Sequence, residues 1–347
     1  MADTSETTAA SPAPVVTVIG EALIDMVPGE RPGDFRALPG GSPFNVAIGL
    51  ARLGLRTSLM ARLADNAFGR ILRGQAEAEG IDLGCAPRAA EPTSLAIVSL
   101  NEHAQAHYDF YLDGTADWQW TAAEAADLPP GTAVLHHGSL ASWTPPGDAH
   151  IHGLAARLHQ GGEVLVSYDP NIRPHLLGDP DKARPQVERS VTRTHLVKAS
   201  REDVAWLYPD TSLEEISARW LGLGALLVVI TDGPDGAHLY RPGEQPVTRP
   251  GRKAAVADTV GAGDAFTSGF LDALVRRGLH TPERLRQATL TTLAGAADDA
   301  ILVSSLTCER IGADPPAAMP RPRSSAPTPL TPADLRRAPV RGRAGRG

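Results

Sequence analysis

The sequence DTVGAGDAF, residues 258–266, places two glycines and a carboxylate at the start of a predicted helix. From Phe266 onward, apolar residues recur at helical spacing, so Gly261 and Gly263 fall where backbone N–H groups lack helical partners. Such N–H groups and the positive end of the helix dipole favour a bound phosphate. Asp264 would repel a phosphate unless it takes a proton from a hydroxyl group. This combination indicates phosphoryl transfer to an alcohol. The alternative is that Asp264 only satisfies N–H groups of the first turn.

A second motif, GGSPFNVAIGLARLG at residues 40–54, predicts another helix. Ser42 is the expected N-cap, Pro43 occupies the first helical position, and Gly54 lies beyond the last turn.

Four polar or flexible positions near that helix are not explained by helix formation. They are Gly40, Gly41, Asn45, which is an amide one turn into an apolar helix, and Asp25, which follows an apolar run. A carboxylate, an amide and exposed backbone together suit a ligand that carries many hydroxyl groups.

These two motifs, in this order, resemble those of the ribokinase-like (PfkB-type) carbohydrate kinases, and among them the bacterial fructokinases. Three further segments carry the resemblance, which runs from about residue 15 to residue 316: DPNIRP at 169–174, KASRED at 198–203 and LTCERIGAD at 306–314.

The resemblance implies ATP-dependent phosphorylation of a sugar. In this family Asp264 matches the base that deprotonates the sugar hydroxyl, and the backbone N–H groups of Gly261, Ala262 and Gly263 match those that stabilise the transferred group. The positions matching the family's sugar site are Asp25, Gly40, Gly41, Asn45, Asn171 and Arg173.

For the nucleotide, the resemblance points to the turn that contains Thr231, Gly233 and Gly236. A simple tight turn between two strands explains these residues equally well. Ser200 and Asp203 stand where many relatives have an N-x-x-E motif tied to Mg²⁺ and phosphate, and this departure leaves their metal role open. We expect Mg²⁺ to arrive with ATP.

Two further expectations concern a cation and the acceptor. Asp258 fits a position that holds a monovalent cation such as K⁺ in relatives. Leu112 and Asp113 follow the predicted lid where relatives with anionic substrates carry arginine, so a neutral hexose is expected, and the overall similarity points to fructose. The alternatives are a kinase for ribose, 2-keto-3-deoxygluconate or an aminoimidazole riboside, or a non-catalytic sugar sensor.

The fold class follows from short apolar runs that alternate with helical patterns. Continuous apolar runs predict strands buried on both faces, as in a doubly wound, mostly parallel α/β sheet flanked by helices. These runs are residues 15–19, 133–135, 164–166, 195–197 and 226–230. Residues 94–100 and 106–111 instead predict a hairpin. In the resembling family, strands at this place, about residues 94–112, form a small β lid that also serves as a homodimer surface in several relatives.

Composition bounds the remaining possibilities. The chain has 347 residues, 42% hydrophobic residues and a net charge of −7, and residues 320–347 carry seven Arg and one Asp. An acidic body with few aromatic residues disfavours a nucleic-acid partner. With two cysteines, no signal-peptide pattern and no long apolar run, we expect a cytoplasmic protein without membrane contact. We expect a kinase domain over residues 15–316, with disordered segments at 1–14 and 317–347.

Overall fold

The structure, a computed structural model, describes residues 13–31, 33–100 and 106–317. Within these ranges the chain forms fourteen strands: β1 (Val15–Ile19), β2 (Leu23–Pro28), β3 (Phe35–Gly40), β4 (Arg56–Met60), β5 (Leu63–Ala64), β6 (Arg88–Ala89), β7 (Leu95–Leu100), β8 (Ala106–Tyr111), β9 (Thr132–Gly138), β10 (Leu165–Asp169), β11 (Leu196–Ser200), β12 (Leu227–Thr231), β13 (Ala237–Tyr240) and β14 (Val247–Arg249). The α-helices of the same ranges are α1 (Ser42–Arg52), α2 (Ala67–Ala78), α3 (Asp148–Gly161), α4 (Pro174–Leu177), α5 (Pro180–Val191), α6 (Arg201–Leu207), α7 (Leu213–Gly222), α8 (Ala262–Arg276), α9 (Pro282–Gln287) and α10 (Leu290–Cys308). The predicted disordered segments lie outside the described residues, apart from Ala13, Pro14 and Ala317.

Eight strands form the main sheet in the order β14-β13-β12-β11-β10-β9-β1-β4. Six neighbouring strands run parallel: β12, β11, β10, β9, β1 and β4. At the β12 end of the sheet, β13 and β14 add an antiparallel edge. The order reverses beside β1, because the chain places β4 on one side of β1 and β9 on the other. Ligands of such sheets bind outside the carboxyl ends of the strands at this switch point. The predicted mostly parallel α/β sheet is confirmed.

Helices cover both faces of this sheet, as β12 shows. Leu227 and Val229 join an apolar cluster with residues of α1, α8 and α10, whereas Val228 and Ile230 join a second cluster with residues of α5, α6 and α7. Alternate side chains of one strand therefore enter two separate cores, as a continuous apolar run predicts.

The predicted strands at residues 164–166 and 195–197 are too short. In the structure β10 continues to Asp169 and β11 continues to Ser200. The last residues of these strands include polar side chains, among them Asp169 in β10 and Lys198 in β11. The apolar pattern of the sequence therefore ends before the backbone hydrogen bonds between the strands do. These polar strand ends lie at the edge of the sheet where ligands are expected.

The predicted hairpin is present as β7 and β8, and its connection, residues 101–105, lies outside the described residues. The lid is larger than predicted, because β2 and β3 complete a four-stranded sheet in the order β3-β2-β7-β8. Phe35, Leu38 and Tyr111 are exposed apolar side chains on lid strands. The homodimer through the lid stays a prediction.

The predicted cap of α1 is wrong. Gly41, with φ +100°, is the N-cap, and Ser42 is the first helical residue, whose hydroxyl group bonds outside the helix. By contrast, the sequence SLEE at residues 212–215 has the S-x-x-E pattern of a capping box, and at the start of α7 Ser212 and Glu215 exchange side-chain and backbone hydrogen bonds. No helix in the described part of the chain is both long and apolar enough to cross a bilayer.

Helix α8 packs very closely against α10. A Cβ atom added to Gly269 would lie 3.0 Å from the Cα of Ala300 and 3.0 Å from the Cβ of Val303. Since the protein interior is already close-packed, a larger residue at position 269 must push the two helices apart.

We expect Gly269→Val to lower the free energy of unfolding by about 1–3 kcal/mol, the usual range for overpacking. The matched control is Gly74→Val on the exposed side of α2, where an added Cβ meets no atom within 4 Å. That change should be nearly neutral, because valine and glycine differ little in helix propensity on the scale of the packing effect. Chemical denaturation of both variants measures the difference, and equal stabilities would show that the α8–α10 contact tolerates expansion.

Candidate active site

Asp264 lies in the first turn of α8 and faces the start of α1. Its Oδ1 accepts a hydrogen bond from Ser42 Oγ at 2.6 Å, and its Oδ2 accepts one from Asn45 Nδ2 at 2.9 Å. Burial raises the pKa of Asp264 above its ordinary value, and these two hydrogen bonds act in the opposite direction. The carboxylate is therefore held in one orientation by two donors.

The backbone before Asp264 forms a left-handed turn. Gly261 has φ +75°, and a Cβ there would lie 2.5 Å from the Cβ of Ala313, so only glycine fits. The N–H group of Ala262, which the family resemblance also assigns to the transferred group, donates to the carbonyl oxygen of Thr259 at 3.2 Å. Among the described residues the N–H groups of Gly261 and Gly263 have no acceptor, and we call these two the anion hole.

A buried lysine lies directly behind the anion hole. Lys198 Nζ donates to Asp169 Oδ2 at 2.8 Å and lies 3.2 Å from where a Cβ of Gly263 would be. Burial lowers the pKa of Lys198, but the charge and the hydrogen bond of Asp169, together with the charges of Asp203 and Asp264, hold the pKa above its ordinary value. The ammonium group therefore places a positive charge beside Gly263.

Two glycines let the lid strand β2 approach the start of α1. A Cβ on Gly40 would lie 2.1 Å from Asp25 Oδ2, so glycine is needed for the carboxylate to keep its place. Gly41 has φ +100°, and a Cβ there would lie 2.8 Å from the carbonyl oxygen of Glu21. The predicted Gly40-Gly41 pair is thus explained by close approach.

Asn171 connects two strand ends and orients an arginine. Its backbone N–H donates to Asp169 Oδ1 at 3.0 Å, and its Nδ2 donates to Ser139 Oγ at 3.3 Å. Its Oδ1 accepts a hydrogen bond from Arg173 Nη1 at 2.8 Å. Asn171 adopts a left-handed φ of +40°, which asparagine tolerates better than most residues.

Asp25, Arg173 and Asp264 influence one another across the same space. Burial raises the pKa of Asp25 to about 6, the charge of Arg173 opposes this rise, and the charge of Asp264 reinforces it. The structure therefore brings together the predicted sugar residues of the lid, the end of β10 and the start of α8.

The predicted pair Ser200 and Asp203 forms the capping box of α6. Ser200 Oγ accepts from the N–H of Asp203 at 3.0 Å, and Asp203 Oδ2 accepts from the N–H of Ser200 at 2.9 Å. Asp203 Oδ1 accepts from the N–H of Ile172 at 2.8 Å. Since both carboxylate oxygens accept backbone N–H groups, this pair orders the segment that carries Arg173. A role of Ser200 and Asp203 toward Mg²⁺ stays a prediction.

The predicted nucleotide turn joins β12 to β13. Gly236 has φ +103°, and a Cβ there would lie 2.0 Å from the carbonyl oxygen of Arg249, so the tight-turn explanation accounts for this glycine. Gly233 has φ +47° and open space around it. Thr231 is the last residue of β12 and donates weakly, at 3.4 Å, to the carbonyl oxygen of Ala199.

An ion pair that the sequence did not reveal joins this turn to the start of α6. Arg201 binds both carboxylate oxygens of Asp232 at 2.5 Å, and His238 Nε2 lies 3.3 Å from Asp232 Oδ2. The pair places a guanidinium group and a neutralised carboxylate at the rim of the predicted nucleotide site.

Asp258 supports the turn before α8. Its Oδ1 accepts from the N–H of Val260 at 3.0 Å, and its Oδ2 accepts from the N–H of Gly312 at 2.8 Å. In the part of the chain that is described, no three His, Cys, Asp or Glu side chains are grouped to hold a metal ion. The monovalent-cation role of Asp258 stays a prediction.

Sequence reasoning missed Lys198 and Glu21 as site residues, although a signal existed for both. Lys198 interrupts an otherwise apolar strand, and Glu21 stands two residues beyond the end of another. Glu21 is fully buried after β1; its Oε2 accepts from the N–H of Ala141 at 3.1 Å, and its Oε1 has no partner among the described residues. Burial raises the pKa of Glu21 to about 7.

Comparison with known proteins identifies a family model and several relatives of this chain. A family model described as pfkB family carbohydrate kinase matches residues 14–318. A fructokinase of Rhizobium leguminosarum bv. trifolii is 35% identical over 276 residues, which are 78% of this chain and 83% of the relative. A fructokinase of Klebsiella pneumoniae is 33% identical over 272 residues, 76% of this chain and 85% of the relative.

Solved structures agree in fold. The fructokinase of Vibrio cholerae O395 with fructose, ADP and calcium ion bound superposes with a TM-score of 0.75 at 27% identity, covering 87% of this chain and 94% of that one. The aminoimidazole riboside kinase of Salmonella enterica, complexed with aminoimidazole riboside and an ATP analogue, gives a TM-score of 0.72 at 26% identity, covering 86% and 95%.

The buried Glu21 carboxyl group gives a testable pH dependence. Its pKa is about 7 in the folded chain against 4.5 for the ordinary group, so the folded state holds a proton that the unfolded state releases as pH rises from 4.5 to 7. Ionisation of Glu21 therefore lowers stability over this window. We expect the unfolding free energy of Glu21→Gln minus that of wild type to increase by about 2–3 kcal/mol between pH 5 and pH 8.

Denaturation at several pH values measures this difference, and a constant offset from the glutamine amide cancels in the pH dependence. Exposed Glu163→Gln is the matched control and should show no such trend. A pH-independent difference for Glu21→Gln would contradict the assignment of a neutral buried carboxyl group.

Proposed function

The chain belongs to the pfkB family of carbohydrate kinases, and from this we propose that it phosphorylates fructose at O6 with ATP as the phosphoryl donor. The observation that carries the proposal is the position of Asp264, a carboxylate oriented by two donors beside the anion hole of Gly261 and Gly263. The similarity to fructokinases, including one with bound fructose and ADP, supports fructose as the acceptor.

In the proposed reaction Asp264 takes the proton of the acceptor hydroxyl while that oxygen forms its bond to the γ-phosphorus. The bond from this phosphorus to the bridging oxygen breaks, and ADP leaves. The anion hole and the positive end of α8 stabilise the negative charge on the group in transfer. The ammonium of Lys198 lies beside Gly263 and adds to this field.

Asp25 and Arg173 bound the proposed acceptor site, with Asn171 orienting Arg173. Asn45 uses its amide NH₂ on Asp264, which leaves its carbonyl oxygen for a sugar hydroxyl. Two carboxylates, Asp25 and Asp264, face this space and repel an anionic acceptor. A neutral sugar with several hydroxyl groups therefore fits the charge of the site.

The nucleotide is proposed to lie between the start of α8 and the turn of Thr231, Gly233 and Gly236. The open space around Gly233 and the neutralised Asp232 support this placement, because phosphate groups can approach there without meeting an unpaired carboxylate. Mg²⁺ carried by ATP neutralises phosphate charge when bound. The backbone amides and Lys198 contribute the protein's share of positive potential.

Phosphorylation of an aminoimidazole riboside is the second candidate, because the Salmonella enterica kinase for that compound has the same fold and similar coverage. A coupled assay of ADP release with fructose, ribose, 2-keto-3-deoxygluconate and the riboside compares kcat/KM directly. A value for fructose well below that of another acceptor would contradict the proposed substrate. Absence of acceptor-dependent ADP release would leave only the sugar-sensor alternative.

We expect Asp264→Asn to lower kcat by at least about 100-fold, because the amide cannot accept the proton. Asparagine keeps the size of the side chain, so the thermal transition should stay near that of wild type. Initial rates at saturating fructose and ATP measure the effect, with the exposed Asp127→Asn as control. Wild-type turnover in Asp264→Asn would disprove its role as base.

We expect Asp25→Ala to raise the KM for fructose about ten- to a hundredfold and to leave the KM for ATP almost unchanged. A sugar hydroxyl loses a hydrogen bond to a charged group, which is typically worth about 1.5–3 kcal/mol. Asn45→Ala should raise the fructose KM less but also lower kcat, since Asp264 loses a donor. Each substrate is varied at saturating levels of the other; a change confined to the ATP constant would place the acceptor elsewhere.

A further inference from the structure

A carboxylate lies buried at the base of the lid, away from the reacting groups. Asp117 belongs to a short 3-10 helix, Ala116–Trp118, that follows the last lid strand β8, and its exposed fraction is 1%. In the described residues no Lys, Arg or His forms an ion pair with it. A buried carboxylate without a cation is costly, so its hydrogen bonds must be well formed.

Those hydrogen bonds reach two neighbouring lid strands. Asp117 Oδ1 accepts from the N–H of Ala22 at 2.9 Å, and its Oδ2 accepts from the hydroxyl group of Ser94. Ala22 directly precedes β2, and Ser94 directly precedes β7. One carboxylate therefore binds both parallel strands at the point where each enters the lid.

A second set of contacts closes the same junction. Thr115 Oγ1 lies 2.6 Å from Ser94 Oγ and donates to the carbonyl oxygen of Leu112 at 2.7 Å. The N–H of Ala116 donates to the carbonyl oxygen of Pro92 at 2.9 Å. The segments that enter and leave the lid hairpin are thus joined around Asp117. We call Asp117, Ser94, Thr115 and Ala22 the lid junction.

The lid junction is coupled to the acceptor site through β2. Asp25 lies three residues beyond Ala22, a distance of about 10 Å along an extended strand, and pairs with Ala96 in β7. Because successive strand residues point to opposite faces, a change in how β2 enters the lid also changes the direction of the Asp25 carboxylate.

We propose that Asp117 is a positioning residue for phosphoryl transfer: by joining β2 to β7 at the lid junction, it fixes Asp25 over the acceptor and keeps the lid closed against water. This inference rests on the proposed function, since it assigns consequences to Asp25 and Asp264. Asp117 itself touches neither substrate nor the reacting atoms.

A loosened lid has a defined chemical consequence. Water that reaches Asp264 replaces the sugar hydroxyl: its oxygen bonds the γ-phosphorus, its proton passes to Asp264, and the bond to the bridging oxygen breaks. ADP and inorganic phosphate are released without any sugar. Sugar-independent hydrolysis of ATP therefore reports on lid closure, which a role in stability alone would not change.

The test compares Asp117→Ala with Asp117→Asn in the full chain. Alanine removes both hydrogen bonds, so we expect the fructose KM to rise at least about tenfold, with the ATP KM within about twofold of wild type. We also expect phosphate release without sugar to rise relative to fructose phosphorylation. Asparagine can accept from the N–H of Ala22 and donate to Ser94 Oγ, so it should restore most of both values.

Two further variants keep the test decisive. Ser94→Ala removes one of the two contacts and should give a smaller rise in both readouts, which decides the matter if Asp117→Ala does not fold. Exposed Asp127→Ala is the matched control. Adding Asp264→Asn to Asp117→Ala should abolish the sugar-independent hydrolysis.

Wild-type fructose KM and wild-type hydrolysis in the folded Asp117→Ala and Ser94→Ala variants would overturn this proposal and leave the proposed function intact. An equal rise of the fructose and ATP constants would also overturn it, because that pattern indicates general disorder of the site. Full turnover in Asp264→Asn alone would instead overturn the proposed function.

Discussion

The position of the first turn of α8 depends on close packing of the later turns of the same helix against α1 and α10. Gly269 lets α8 approach α10, and a Cβ on Gly49 of α1 would lie 2.4 Å from Ser268 Oγ of α8. Since glycine is needed at both contacts, the three helices have little freedom to shift. Ser42 and Asn45 of α1 are therefore held within hydrogen-bond distance of Asp264, and the carboxylate is oriented before any ligand arrives.

The charges around this turn are arranged in opposed pairs. Asp169 and Lys198 form a buried pair at 2.8 Å, Asp25 faces Arg173, and Arg201 binds Asp232. A site that receives a polyphosphate gains from backbone N–H groups and ammonium charge, but it must also keep a base ionised nearby. Asp169 and Asp232 are paired with cations, and Asp203 and Asp258 accept backbone N–H groups, so these carboxylates add little repulsion around Asp264.

Much of this protein could be predicted from local patterns. Three kinds of element depend on residues close in sequence: the core strands, the capping box of Ser212 and Glu215, and the lid hairpin. The spacing of apolar residues and the residue types at turns and helix starts are therefore sufficient to predict them. The same reasoning ended β10 and β11 too early, because Asp169 and Lys198 interrupt the apolar pattern while the backbone ladder continues. The same reasoning also predicts Ser42 as the N-cap of α1, because serine is common at N-cap positions. In the structure the N-cap is Gly41.

The sequence by itself determined the fold class, the family resemblance and the identity of the groups at the site, because glycines, carboxylates and apolar runs act through short-range rules. Only the tertiary structure decided their partners. Ser42 and Asp264 are separated by 222 residues, and Asp117 and Ala22 by 95, so no local pattern contains either hydrogen bond. Which polar groups meet depends on how parallel strands and covering helices stack, and burial then requires that each donor and acceptor find a partner there.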